Sequence, residues 1–226
     1  MVVPRLAHAP YQSSLPADFT TPLTPRSVRA RHNVPRMRSV APRWVRSFGR
    51  LALSSNARQD ARHELRRRFR GAPRLPEGSL QHLLVLCHGN ICRSPFAAAL
   101  LGARIPDRKV RSAGLEAGQA QPADPTALKC AARMGVSLTG HRSLRVSTEM
   151  LAWADLILVM QGSHVAAIER GWPRFRSRVR LLGDFLPAPP YLLPDPWGED
   201  EEVFDRVFAR LHEAVENLAL RLEASR

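Results

Sequence analysis

From residue 79 onward, short apolar runs alternate with segments of helical period. Residues 83–86 (LLVL), 109–113, 155–160 (DLILVM) and 179–182 are too short for helices and read as strands. Between them lie helical stretches. Residues 95–105 carry a proline in the first turn, and 124–134 have Asp124 placed to cap, Pro125 at the first position and Gly135 at the end. Residues 163–170 form a short helical pattern. Residues 200–223 form a long one, with Val203, Phe204, Val207, Phe208, Leu211, Val215 and Leu218 on one face. Strands alternate with helices along the chain, which is the mark of a parallel sheet covered on both faces. The pattern predicts an α/β domain over 79–226, a four-stranded parallel sheet flanked by helices on both faces. No apolar run approaches the roughly 18 residues a membrane helix needs.

The first 78 residues change the picture. They hold 16 of the 34 Lys+Arg but 4 of the 20 Asp+Glu, so the net charge of +14 is mostly theirs. Residues 1–43 are dense in Pro, Arg, Ser and Thr and cannot bury enough apolar surface to offset their ordering entropy, so disorder is expected. Residues 44–70 allow a basic helix, with Trp44, Val45, Phe48, Leu51, Leu65 and Phe69 as a loose apolar stripe and Arg66, Arg67 and Arg68 on its polar side. Gly71, Pro73, Pro76 and Gly78 mark a linker. Such a tail suits a solvated extension. A weak nucleic-acid or acidic-membrane patch and an Arg- and Ser-rich transit peptide are the alternatives. The three cysteines make neither a disulfide framework nor a C-x-x-C metal pattern, and a reduced, cytoplasmic setting fits.

The candidate chemistry lies in CHGNICRS, Cys87 to Ser94. Cys-x5-Arg alone is weak in a chain this rich in arginine. Its place lifts it: the octapeptide joins the carboxyl end of the first strand to a helix, where open parallel sheets hold their ligands. A loop entering a helix N-terminus gathers backbone N–H groups, and the helix dipole favours an anion. Gly89 permits the positive φ such a nest needs, and Asn90 also tolerates it. The same N–H groups would favour a thiolate at Cys87, a nucleophile aimed at phosphorus. The planar fork of Arg93 can hold two phosphate oxygens, and the Ser94 hydroxyl can reach the sulfur. The leaving oxygen needs a proton. Asp195, in the loop LPDPWG, is a candidate for that carboxyl, with Trp197 as a wall for a flat substrate; a proline-rich surface turn before a helix is the other reading of the same loop.

LLVLCHGNICRSP with the later DPWG resembles the low-molecular-weight protein tyrosine phosphatases. Ser112-Ala113-Gly114, ADPTAL, GHRSL, ADLILVM and LLGDF follow in the family's order, so the likeness spans roughly 79–222. It is closest to the bacterial subgroup working beside tyrosine autokinases in capsule and exopolysaccharide production. The resemblance implies a Rossmann-like fold of the phosphotyrosine phosphatase I type and a two-step hydrolysis of phosphotyrosine without cofactor or metal. Cys87 would be the nucleophile, Arg93 the phosphate clamp and Asp195 the general acid and base. The loop residues His88, Gly89, Asn90, Ile91, Cys92 and Ser94 would bind phosphate or line its mouth together with Leu115 and Trp197. Asn90, Ser94, Ser112 and His141 would brace the loop. A phosphotyrosine protein, such as an autokinase, would be the partner.

The sequence departs from the family pattern in two places. Ala98 stands where a Glu is common, and the loop after SAG lacks its usual aromatic, reading Leu115, Glu116, Ala117 and Gly118. Cys92 has two readings, a reversible disulfide partner for Cys87 or a small buried residue. Cys130 reads as core, Trp153 and Trp172 as packing, and Asp155 as an anchor at a strand end. Arsenate reduction on the same fold is a rival, but it relays oxidation through two further cysteines, and only Cys130 lies outside the loop.

Overall fold

The computed structural model describes residues 55–224, so the expectations for 1–43 and for Trp44, Val45, Phe48 and Leu51 lie outside the described residues. The chain begins with helix α1 (Ser55–Arg70) and continues β1 (His82–Cys87), α2 (Arg93–Arg104), β2 (Lys109–Gly114), α3 (Pro125–Arg133), α4 (Thr148–Trp153), β3 (Leu156–Val159), α5 (Gly162–Gly171), β4 (Val179–Leu181) and α6 (Glu201–Ala224). The four strands are parallel in the order β2-β1-β3-β4. The fold is the expected α/β type.

Alternate residues of the central strands β1 and β3 feed two cores. Leu83, Val85, Cys87, Leu156 and Leu158 pack under α2, α3 and α6, where Phe96 and Phe208 stack with ring centroids 4.2 Å apart. Leu84, Leu86, Ile157, Val159, Val179 and Leu181 pack on the other side with Leu151, Val165, Ile168 and Phe175. This is why β1 and β3 read as unbroken apolar runs: each neighbour in sequence has its own hydrophobic layer, whereas the edge strands β2 and β4 carry polar residues such as Arg111 and Arg180. Small polar devices fix the ends. Asp124 accepts hydrogen bonds from the N–H groups of Thr126 and Ala127 at 2.8 and 3.1 Å, capping α3. Asp155 accepts from Gln81 and His82, both at 2.9 Å, and anchors the strand starts as expected. Trp153 and Trp172 pack, half-buried, against the second core. Helix α4 escaped the sequence reading because six residues show no helical period; its start is held by the Ser147 hydroxyl.

Helix α1 corrects the apolar-stripe expectation. Leu65 and Phe69 are 58 % and 82 % exposed, and the polar side faces the domain. Arg67 donates to the Asp184 carbonyl at 3.0 Å and to that of Leu186 at 3.4 Å, with its guanidinium 4.2 Å from the Tyr191 ring centroid. Glu64 accepts from the Tyr191 N–H at 2.7 Å. The 3-10 turn after β4 and the loop beyond it present free backbone groups, and charged side chains satisfy them better than an apolar stripe would.

Asp184 itself is buried, and burial pushes its carboxyl up to about 6 despite the opposing pull of Arg67. The folded chain therefore holds this proton more tightly than the unfolded chain, whose ordinary value is 3.8. Its contribution to stability is present at low pH and is lost as pH rises from about 4 to about 6, by about 3 kcal/mol at most. Asp184→Asn is expected to remove that slope. Melting temperatures of the variant and parent, compared from pH 4 to 7, should converge at the acid end and separate in the variant's favour above it.

Candidate active site

β1 lies between β2 and β3, and the chain leaves its carboxyl end into α2. The loop 88–92 fills that exit. Of the two residues able to take a positive φ, Gly89 and Asn90, it is Asn90 that does, at 55°. The reason is the Asn90 side chain. Its amide donates to the hydroxyls of Ser94 and Ser112 at 2.9 and 3.0 Å, and its carbonyl oxygen accepts from the Leu144 N–H at 2.9 Å. A ring nitrogen of His141 stands 2.7 Å from the Asn90 backbone carbonyl. Asn is among the few residues that tolerate the left-handed region, and four tethers hold it there. The four residues expected to brace the loop thus meet around Asn90.

The Cys87 sulfur is buried at the floor of the loop. It accepts from the Asn90 N–H at 3.2 Å and lies 3.0 Å from the Ser94 hydroxyl. Ser94 already accepts from Asn90, and its single proton can go to the sulfur or, at 3.3 Å, to the Ala113 carbonyl. A thiolate would draw that proton to itself. The segment after β2 seals the loop from the side: Leu115 and Glu116 donate to the carbonyls of Cys87 and His88, both at 2.9 Å. Gly114 is required there, because an added Cβ would lie 2.7 Å from the His88 carbonyl oxygen.

Arg93 opens α2 and is 1 % exposed. Its Nη1 donates to Gln161 Oε1 at 2.8 Å and to the Leu193 carbonyl at 3.0 Å, and its Nη2 pairs with the Asp195 carboxylate. Its Nε is buried and has no partner among the described residues. Asp195 is 40 % exposed and accepts from the Trp197 N–H at 3.3 Å. Trp197 and His88 are exposed, and Ile91 and Leu115 half-buried. Cys92 is buried among core residues, and desolvation, helped by the Asp124 carboxylate, pushes its thiol far up. Cys130 is fully buried, with its thiol pushed up to about 11 chiefly by desolvation. Ala98, where the family pattern has Glu, packs half-buried against the first core.

Three features went unread in the sequence. Gln161 follows β3 at its carboxyl end, and its place beside β1 was the available signal. The Leu193 carbonyl carries no side-chain signature at all. His164, on α5, is buried with its Nδ1 accepting from Met160 N–H at 3.4 Å; desolvation, then Arg93 and His88, lower its pKa to about 3. It therefore stays neutral near the guanidinium and adds no competing charge.

Comparison with known proteins gives a concordant result. Residues 82–226 match the family described as low molecular weight phosphotyrosine protein phosphatase. The protein-tyrosine-phosphatase Etp of Escherichia coli K12 is 40 % identical over 140 residues, 62 % of this chain and 93 % of its own length. The tyrosine phosphatase Wzb of Escherichia coli K30, solved in complex with sulphate, is 36 % identical with a TM-score of 0.61, covering 63 % of this chain and 99 % of its own. The YwlE arginine phosphatase of Geobacillus stearothermophilus is 30 % identical with a TM-score of 0.60, covering 64 % of this chain and 94 % of its own. Sheet order, loop and family match coincide on one stretch, and this chain belongs to the low molecular weight phosphotyrosine protein phosphatase family, as a protein-tyrosine-phosphatase.

Proposed function

We propose that the chain hydrolyses phosphotyrosine in proteins by a two-step mechanism through a phosphocysteine. The observation that carries this reading is the buried Arg93 guanidinium, which keeps a free Nε donor beside the Cys87 loop. A buried donor without a partner is costly, and a phosphate oxygen would satisfy it. In the first step the Cys87 thiolate attacks phosphorus. The S–P bond forms, the P–O bond to tyrosine breaks, and the Asp195 carboxyl gives its proton to the departing oxygen. In the second step water attacks phosphorus, the Asp195 carboxylate takes the water proton, and the S–P bond breaks to return the thiolate. Arg93 and the loop N–H groups hold the equatorial oxygens, so the charge stabilisation needs no metal or other cofactor. Asn90, Ser94, Ser112 and His141 hold the loop in shape. His88, Ile91, Leu115 and Trp197 line the mouth, and Gly89 and Cys92 contribute backbone N–H groups.

The region 79–226 is the catalytic domain in this reading, and the chain works in the cytoplasm. Among the described residues no helix is long and apolar enough to cross a membrane. The partner is a phosphotyrosine protein. Resemblance to the exopolysaccharide-linked subgroup points to the phosphorylated tail of a tyrosine autokinase; nucleic acid is expected to bind only weakly, through the basic extension. The test is phosphate release by the full chain, in chelator and reductant, from phosphotyrosine, phosphoserine and phosphoarginine peptides. Release from phosphotyrosine at least about a hundredfold faster than from the other two is expected. Preference for phosphoarginine, the substrate class named for the Geobacillus relative, would overturn the assignment.

A further inference from the structure

The catalytic arginine is joined to helix α1 by an unbroken line of hydrogen bonds. Arg93 Nη1 donates to Gln161 Oε1 at 2.8 Å, Gln161 Nε2 donates to Asp60 Oδ2 at 3.2 Å, and Asp60 Oδ1 accepts from the Ser163 N–H at 3.0 Å. We propose that Asp60, on a helix preceding the residues that match the family, is a positioning residue for the phosphate clamp and acts through Gln161. This rests on the reading of Arg93 as that clamp.

The chemistry of the middle link makes the connection directional. A side-chain amide has one accepting and one donating end. Gln161 stands between a guanidinium, which only donates, and a carboxylate, which only accepts when ionised. One amide orientation satisfies both neighbours, and the flipped one sets two donors against each other and two acceptors against each other. Asp60 thereby fixes the oxygen of Gln161 toward Arg93. It also supplies what α5 lacks. Gln161 occupies the N-cap of α5 but makes no side-chain cap, because its amide is turned to Arg93. Asp60 caps that helix from outside, where the dipole favours a carboxylate.

The backbone is shaped for this docking. Gly162 opens α5, and a Cβ there would lie 2.7 Å from the Gln59 carbonyl oxygen and 3.1 Å from the His63 ring. Any larger residue would hold α1 away from Gln161. Seven residues further along α1, Arg67 and the carbonyls of Asp184 and Leu186 secure its other end. The family match begins at residue 82, so the helix is an addition to the common domain that reaches its reaction centre. Whatever displaces α1 would loosen the clamp, which gives this segment a hold on activity.

A double-mutant cycle on the full chain tests the proposal, with Asp60→Ala, Gln161→Ala and the pair. Two quantities are read: kcat and KM for a phosphotyrosine peptide, and the affinity for inorganic phosphate by calorimetry. Asp60→Ala is expected to weaken phosphate binding and lower kcat/KM together, each about 3- to 30-fold. In the Gln161→Ala background it should add almost nothing. Asp60→Asn, of the same shape, is expected to keep the fold and show a smaller loss in the same two quantities. The relay is overturned if Asp60→Ala or Asp60→Asn lowers only the melting temperature with phosphate affinity intact, or if the losses multiply in the pair. Phosphate binding needs no turnover, so failure of the phosphotyrosine reading would show separately, as an inactive parent that still binds phosphate.

Discussion

Cys87→Ser is expected to reduce phosphate release from a phosphotyrosine peptide by ~10^4-fold or more, while inorganic phosphate still binds. The two halves have different causes. The cradle is made of backbone N–H groups, the α2 N-terminus and Arg93, and none of these is altered by exchanging sulfur for oxygen. A serine hydroxyl can also keep the approach of Asn90 N–H and Ser94 that the sulfur has, at 3.2 and 3.0 Å. What is lost is the anion. A sulfur anion attacks phosphorus readily, whereas a serine hydroxyl in the same place stays protonated and is a poor nucleophile. The phosphoenzyme gives a second readout: labelled phosphate should survive denaturation on the parent during turnover and be absent from the variant. Residual release above about one part in a hundred, in a preparation free of parent enzyme, would mean that water or another group attacks phosphorus directly.

The sequence was most legible where side-chain chemistry and periodicity coincide. The central strands β1 and β3 show in the apolar pattern because both faces of the sheet are buried there, the long α6 shows through its one apolar face, and the loop from Cys87 to Ser94 shows because its residue types have few other uses together. It was least legible where function depends on backbone or on distant partners. Gly89 and Asn90 could both take the positive φ, and Asn90 takes it because three long-range hydrogen bonds stabilise it there; spacing within the loop cannot reveal partners at Ser112, His141 and Leu144. Helix α1 was misread for a related reason. Its composition suited a solvated extension with a loose apolar stripe, yet the domain surface it meets offers carbonyl and N–H groups, and Asp60, Glu64 and Arg67 answer them. An arginine-rich helix looks solvated until its acceptors are known.

Asp195→Asn is expected to lower kcat for a phosphotyrosine peptide by about 10^2- to 10^3-fold, and by much less for an aryl phosphate whose phenol is strongly acidic. The tyrosine oxygen leaves as a phenoxide with an ordinary value of about 10, so departure without a proton is slow. A nitrophenol leaves readily on its own and gains little from the acid. The ratio of the two losses therefore isolates proton donation from any general damage to the site. Binding should move the other way. Asp195 pairs with the Arg93 guanidinium, and in the proposed mechanism its carboxylate would repel a phosphate dianion bound to the same guanidinium. Neutralising it removes that repulsion, so phosphate affinity is expected to hold or to tighten. This contrasts with Asp60→Ala, which should weaken phosphate binding although it too removes one carboxylate from the neighbourhood of Arg93. Charge near the guanidinium thus does not decide the outcome; geometry does. Asp195 competes with phosphate for the open side of the fork, and Asp60 steadies the fork from behind through Gln161. Equal losses for both leaving groups in Asp195→Asn would remove Asp195 from the acid role and leave it as a partner of Arg93 alone.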